Sequence, residues 1–288
     1  MNVELLKPYG LCSGALKAIN LIKKVRKDNP NNNIILFGPI IHNENINSLM
    51  KELDIKVLDL PYDEYFDVID TLSIDDIVIL PAHGHDNSLE EKLCRKGILY
   101  VDATCPTILK IHDLILNDYL DNDIIYIGKK DHIESITTCL LKDNIYFYDI
   151  DNTSNLEQFH IVDPIILYQT TLTKLDVKNA IKNIKINFPT AQEGKTLCRQ
   201  CIIRQNNLIK NLTKDTFVII VGSKTSSNTK SLLDIYYKTT NDNKIIFVNS
   251  LEEIKKVEFN PSYKYLITSG TSTPNIVVEN IYKYIRSL

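Results

Sequence analysis

Short, predominantly apolar runs recur along the chain: Ile34–Phe37, Ile77–Leu80, Ile124–Ile127, Ile165–Tyr168, Phe217–Val221 and Tyr265–Thr268. Runs of four to six such residues bounded by polar loops predict buried strands. Three longer stretches carry helical patterning instead: Gly14–Lys27, Pro106–Leu120 and Cys201–Thr213. Pro106 suits the first turn of its helix, where a missing N–H costs little. Each strand opens into a polar loop. The first loop of each third is GPIIHNEN around His42, GKKDHIES around His132 and GSKTSSNT around Ser226. The second is PAHGHD around His83, QTTLT around Thr170 and SGTSTP around Ser272.

These segments repeat. Cys12, Cys105 and Cys198 lie 93 residues apart, each just ahead of one of the three helical stretches. Counted from the preceding cysteine, the first loops fall at offsets of 30, 27 and 28, and the second at 71, 65 and 74. Order, type and spacing agree although residue identities hardly do, which predicts three similar α/β units. Their boundaries are expected at 14–104, 105–197 and 198–288, with 1–13 supplying an N-terminal strand and the first cysteine. Strands alternating with helices at this density favour parallel sheets covered by helices. In such sheets ligands bind beyond the carboxyl ends of the strands, where all six loops are expected.

Composition narrows the partners. The 288 residues are 44% hydrophobic and 24% charged, with a net charge of −3. That suffices for a substantial core and argues against an electrostatic nucleic-acid binder. No apolar run approaches the roughly 18 residues of a membrane span. The N-terminal MNVELLKPYGLC has neither the basic nor the apolar part of a leader, so a cytoplasmic protein is expected.

In that setting three widely spaced cysteines do not suggest a disulfide framework, nor the four close ligands of structural zinc. At helix starts, N–H groups and the positive dipole end favour thiolates. If the units share an axis, the three sulfurs converge. Three thiolates suit an iron–sulfur cube with one iron left open as a Lewis acid. Taken singly, each cysteine reads as a small buried hydrophobe, and that is the expectation for Cys94 and Cys139. Cys201 forms a CxxC with Cys198, a pattern shared by redox and metal sites.

The loop after Val221 presents Ser226, Ser227 and Asn228 at a helix start, an anion site suited to phosphate or diphosphate. Its spacing is not that of a Walker A loop. Ser272 repeats the device, with Pro274 expected at the first helical position. Singly, such hydroxyls are ordinary helix caps; two in one unit favour a bound anion. His42 and His83 occupy equivalent loops and can donate to phosphate oxygens. In the second unit His132, Glu134 and Thr170 come together, and Glu134 is the candidate proton donor. A helix start lowers a carboxyl pKa, so burial would have to prevail for that role. His85, His112 and His160 read as structural or surface residues.

The ordered series GLCSG, His42-Asn43, AHG at 82–84, DATCP at 102–106, His132 to Glu134, QTTL at 169–172, Cys198 with Arg204-Gln205, VGSKTSSN and SGTSTP resembles the 4-hydroxy-3-methylbut-2-enyl diphosphate reductase family nearly end to end. The resemblance implies a pseudo-threefold α/β fold around a central 4Fe–4S cluster on Cys12, Cys105 and Cys198. It implies diphosphate contacts from His42, His83, Ser226, Ser227, Asn228 and Ser272, with His132 near the substrate and Thr170 holding its hydroxyl. Glu134 would deliver protons. Reductive removal of that hydroxyl would yield isopentenyl and dimethylallyl diphosphates, with electrons from a ferredoxin or flavodoxin. The chain departs from the family pattern at Ile133, where proline is usual, at Lys129-Lys130-Asp131, and at Gln200-Cys201, where a small residue and threonine are usual. Two other functions compete: a hydro-lyase using an open iron without net redox chemistry, and a non-catalytic iron–sulfur sensor or scaffold.

Overall fold

The structure is a computed structural model that describes residues 1–152 and 156–288. Its strands are β1 (Val3–Leu5), β2 (Ile34–Phe37), β3 (Ile55–Leu58), β4 (Ile77–Leu80), β5 (Leu99–Asp102), β6 (Ile124–Gly128), β7 (Ile145–Asp149), β8 (Ile165–Tyr168), β9 (Gln192–Glu193), β10 (Thr216–Val221), β11 (Ile245–Val248) and β12 (Lys264–Ser269). They form three four-stranded sheets ordered β3-β2-β4-β5, β7-β6-β8-β9 and β11-β10-β12-β1, and every strand pair is parallel. The expected α/β class with three similar units is therefore what the chain adopts.

The three sheets share one topology with a twist in connectivity. In the first two, the outer strand beside the second apolar strand comes later in the chain. In the third, that position is filled by β1, with Val3 beside Tyr265 and Leu5 beside Ile267. The N-terminus thus closes the last sheet.

Period-two side-chain alternation explains how each sheet is covered on both faces. On the first sheet, Ile34, Leu36, Ile77 and Ile79 pack under Ala15, Ala18, Ile19, Ile22 and Val25 of helix Ser13–Asp28. Ile35, Phe37, Val78 and Leu80 face the other way, against Tyr65, Ile69, Leu89 and Leu93. Ile111 and Ile115 cover Ile124, Tyr126, Ile165 and Leu167 of the second sheet. Leu208 of helix Arg199–Asn211 covers Val218, Ile220 and Leu266 of the third. Each of these covering segments begins immediately after one of the three spaced cysteines.

Two expectations need correction. The helix expected over Pro106–Leu120 is α-helical only to Asp113 and then widens into a π-turn at Leu114–Asp118, closed by Tyr119 N–H to Leu114 O at 2.8 Å. Cys94 is exposed rather than buried, because helix Asn87–Arg95 turns Leu89 and Leu93 inward and leaves position 94 off that face. Cys139 is partly buried, and burial pushes its thiol up to about 12. Among the described residues, no helix is long and apolar enough to cross a membrane.

Candidate active site

The three spaced cysteines are built into the fold in the same way. Each is the N-cap of its helix. Each donates its backbone N–H to a carbonyl two residues past the end of a strand: Cys12 to Thr271 (3.0 Å) after β12, Cys105 to Ala82 (3.1 Å) after β4, and Cys198 to Thr170 (3.0 Å) after β8. Each therefore hangs from the strand ends of one sheet while its helix covers the next, and this places all three at the seams. The second polar loops anchor them.

One inner cavity of about 90 Å³ is lined by Cys12, Cys105 and Cys198 together with His42, His83, His132, Glu134, Thr170, Ser226, Ser227, Asn228 and Ser272. Every site residue expected from the sequence thus faces a single space, and Cys201 lines it too. A larger outer cavity of about 630 Å³ shares His42, His83, His132 and Ser227 with it and is also lined by Lys129, Lys130 and Lys230.

The donor set can be tested against the metal group it suggests. Tetrahedral zinc, with Zn–S near 2.3 Å, draws its sulfurs to within about 4 Å of one another. Among the described residues, only His85, Glu90 and Asp102 gather three ligand atoms within 4.8 Å; the cysteines do not. They stand around a cavity instead, with Gly14 between two of them. A Cβ at Gly14 would lie 2.8 Å from Cys105 Sγ and 3.8 Å from Cys12 Sγ. Thiols spread about an open space fit a cube better than a single ion. The thiols differ in acidity. Cys198 is lowered to about 6, first by a hydrogen bond from Cys201 and then by N–H groups of the helix start. Burial instead raises Cys105, so the helix start does not prevail there.

Glu134 sits in the first turn of helix Ile133–Cys139, where side chains turn toward the cavity. Its Oε1 accepts from Thr170 N–H (2.6 Å) and Tyr126 O–H (3.3 Å), and its Oε2 from Thr170 O–H (2.8 Å). These bonds favour the carboxylate, but burial outweighs them and raises the group to about 7. Burial thus outweighs the helix start in setting the acidity of this carboxyl.

The imidazoles line up beside it, with His42 and His83 centroids 5.2 Å apart and His83 and His132 6.4 Å apart. Burial is the main cause that lowers all three, His83 to about 3 and His132 to about 4, so both are neutral near pH 7. His132 Nδ1 accepts from Glu134 N–H at 3.2 Å, which assigns its proton to Nε2 as a donor. Across the cavity, Ser226 caps helix Ser227–Thr239 without using its side chain on the helix, and its Oγ lies 2.8 Å from Ser272 Oγ. First-turn N–H groups have no acceptor inside a helix, so Ser227 and Asn228 add donors. Pro274 is the cap, not the first residue, of helix Asn275–Ser287.

Tyr126 escaped the sequence reading, and Arg204 and Gln205 entered it only within the family series, without a role. Tyr126 is a strand residue whose burial hides its hydroxyl contact. Arg204 is buried and donates to Ser269 O, Gly270 O and Gly10 O, tying together the loops that carry Cys12 and Ser272. Gln205 donates to Leu172 O and Ser231 Oγ, joining the second and third units. A charged residue inside a helix was the available signal for Arg204, but burial has no mark in one sequence. His85 is buried against Glu90 (2.6 Å), His112 is buried, and His160 is exposed.

Residues 3–286 match the model of the LytB protein family. The chain belongs to that family. Relatives named 4-hydroxy-3-methylbut-2-enyl diphosphate reductase, from Bacillus cereus (strain AH187) and Bacillus anthracis (strain CDC 684 / NRRL 3495), are each 28% identical over 289 residues, covering 99% of this chain and 90% of theirs. The solved E-1-hydroxy-2-methyl-but-2-enyl-4-diphosphate reductase of Plasmodium falciparum superposes with a TM-score of 0.83 at 24% identity, over 99% of this chain and 87% of that one. A second solved reductase, described as the terminal enzyme of the non-mevalonate pathway, gives a TM-score of 0.65 at 24% identity over the whole of both chains. At that identity the solved structures speak for the fold, which is the LytB fold.

Proposed function

We propose that this LytB protein is a 4-hydroxy-3-methylbut-2-enyl diphosphate reductase that removes the substrate hydroxyl as water, consuming two electrons and two protons and yielding isopentenyl and dimethylallyl diphosphates. The observation that carries the reading is the convergence of three equivalently hung cysteines, a buried carboxyl and two anion-binding loops on one cavity. A 4Fe–4S cluster on Cys12, Cys105 and Cys198 would supply electrons and an open Lewis-acid iron. The protein's own groups do the rest. Ser226, Ser272, Ser227, Asn228, His42 and His83 hold the diphosphate with neutral donors, so that no basic patch is needed. His132 offers Nε2–H beside them. Thr170 holds the substrate hydroxyl and links it to Glu134, whose carboxyl delivers the proton. A small ferredoxin or flavodoxin supplies the electrons, and the thiol ligands call for a reducing, cytoplasmic compartment.

Anaerobic turnover of the hydroxylated diphosphate with a strong one-electron donor tests this directly. Turnover that persists without a donor would point to a hydro-lyase, and cluster binding without turnover to a sensor or scaffold.

Two smaller effects follow from the geometry. Ser226→Ala removes a hydrogen bond to a charged group, worth about 1.5–3 kcal/mol, and is expected to raise KM by about 10- to 100-fold with kcat less affected. Gly14→Ala places a methyl against Cys105 Sγ. Iron per chain is expected to fall while circular dichroism stays unchanged, since alanine is the better helix former.

A further inference from the structure

Cys201 lines the inner cavity, yet the proposed reaction has no use for it. It follows Cys198 by one helical turn, is buried, lines the same cavity as Cys198, and donates its S–H to Asn228 Oδ1 at 2.6 Å. Cys198 is the helix cap and is only partly buried, so it is the outer thiol of the pair and Cys201 the inner one. Residues three apart on a helix face one another at about 5–6 Å, within the span a disulfide needs.

We propose that Cys198–Cys201 is a reversible oxidation site of the cluster-free chain, with Cys198 as the attacking thiol and Cys201 as the resolving thiol. The oxidant is a low-molecular-weight disulfide. Cys198 thiolate attacks one of its sulfurs, forming a mixed disulfide and releasing one small thiolate. Cys201 then loses its proton, attacks Cys198 Sγ and displaces the second small thiol. Two protein thiols are oxidised, one small disulfide is reduced to two thiols, and no other reactant is needed. The bond withdraws Cys198 from the cluster set and takes the S–H donor away from Asn228. It also spares Cys198 from deeper, irreversible oxidation. The effect on the cluster rests on Cys198 being a ligand; the disulfide itself does not.

The test uses the full chain stripped of iron, treated anaerobically with oxidised glutathione and examined by intact mass and peptide mapping. Wild type is expected to become two hydrogens lighter, with Cys198 linked to Cys201, and to take up iron and sulfide only after dithiothreitol. Cys201→Ser is expected instead to stop at a glutathione adduct on Cys198. Cys201→Thr should do the same, which guards against a folding defect in one variant. A persistent glutathione adduct on wild type, or a link between Cys12 and Cys105, would overturn the proposal. A mapped Cys198–Cys201 bond with undiminished cluster loading would leave the oxidation site standing and remove Cys198 from the ligand set.

Discussion

Changing Glu134 to glutamine is expected to lower turnover by about 10²- to 10⁴-fold, the usual contribution of a positioned general acid. The substitution is nearly isosteric. Glutamine Oε1 can still accept from Thr170 N–H and Tyr126 O–H, and the new NH₂ can donate to Thr170 Oγ1, whose hydroxyl both donates and accepts. Loss of activity would therefore report the proton and not the fold. The pH dependence sharpens this. A proton donor must be protonated in the free enzyme, and Glu134 is raised to about 7. The wild-type kcat/KM is expected to be level below pH 7 and to decline above it. His83 and His132 have given up their protons far lower, at about 3 and about 4, and add no limb there. The same shift sets the stability trend. A carboxyl raised on folding holds its proton longer in the native state, so native stability falls as pH rises from the unfolded value near 4.3 through about 7. Glutamine removes that dependence, so the variant should melt no lower than wild type at pH 8. Full turnover by Glu134→Gln, or a wild-type profile flat to pH 9, would remove Glu134 from the role.

The inner strands and the covering helices were legible because both signals are local. A wholly apolar run such as Ile77–Leu80 has only one place to go, and the interval of 93 marks equivalent helix starts. Of the outer strands only the N-terminal one was expected, and its place in the third sheet was not. β1, β5 and β9 carry half-exposed or exposed residues such as Glu4, Leu99 and Gln192, because one edge of each meets no further strand. That the N-terminus completes the third sheet depends on contacts about 260 residues apart. The site divides along the same line. Residue types and loop positions pointed to the cavity wall. The supports behind it, Tyr126 against Glu134 and Arg204 across two loops, depend on burial and long-range pairing. Cys94 shows the converse error: cysteine is usually buried, yet here the helix face decides.

Cys105→Ser is the substitution expected to abolish the proposed chemistry outright. Serine keeps the N-cap, and as a helix cap it is the better residue; the backbone N–H to Ala82 O is untouched. The chain should therefore fold, with near-native circular dichroism. What changes is the ligand. A hydroxyl is harder and far less readily deprotonated than a thiol, and iron–sulfur clusters select soft thiolates. With three proposed protein ligands there is none to spare, so iron per chain, the visible absorption of the cluster and turnover are expected to be lost together. The equivalent hanging of Cys12 and Cys198 predicts the same for each of them. Cys94→Ser supplies the control: an exposed thiol on the outer helix Asn87–Arg95 is expected to leave loading and turnover at wild-type values. Cys201 separates the ligands from their neighbours, because Cys201→Ser should still load a cluster although its residue lines the same cavity. A normal cluster spectrum from Cys105→Ser would sink the three-ligand assignment, and with it the open iron on which the reductase reading depends.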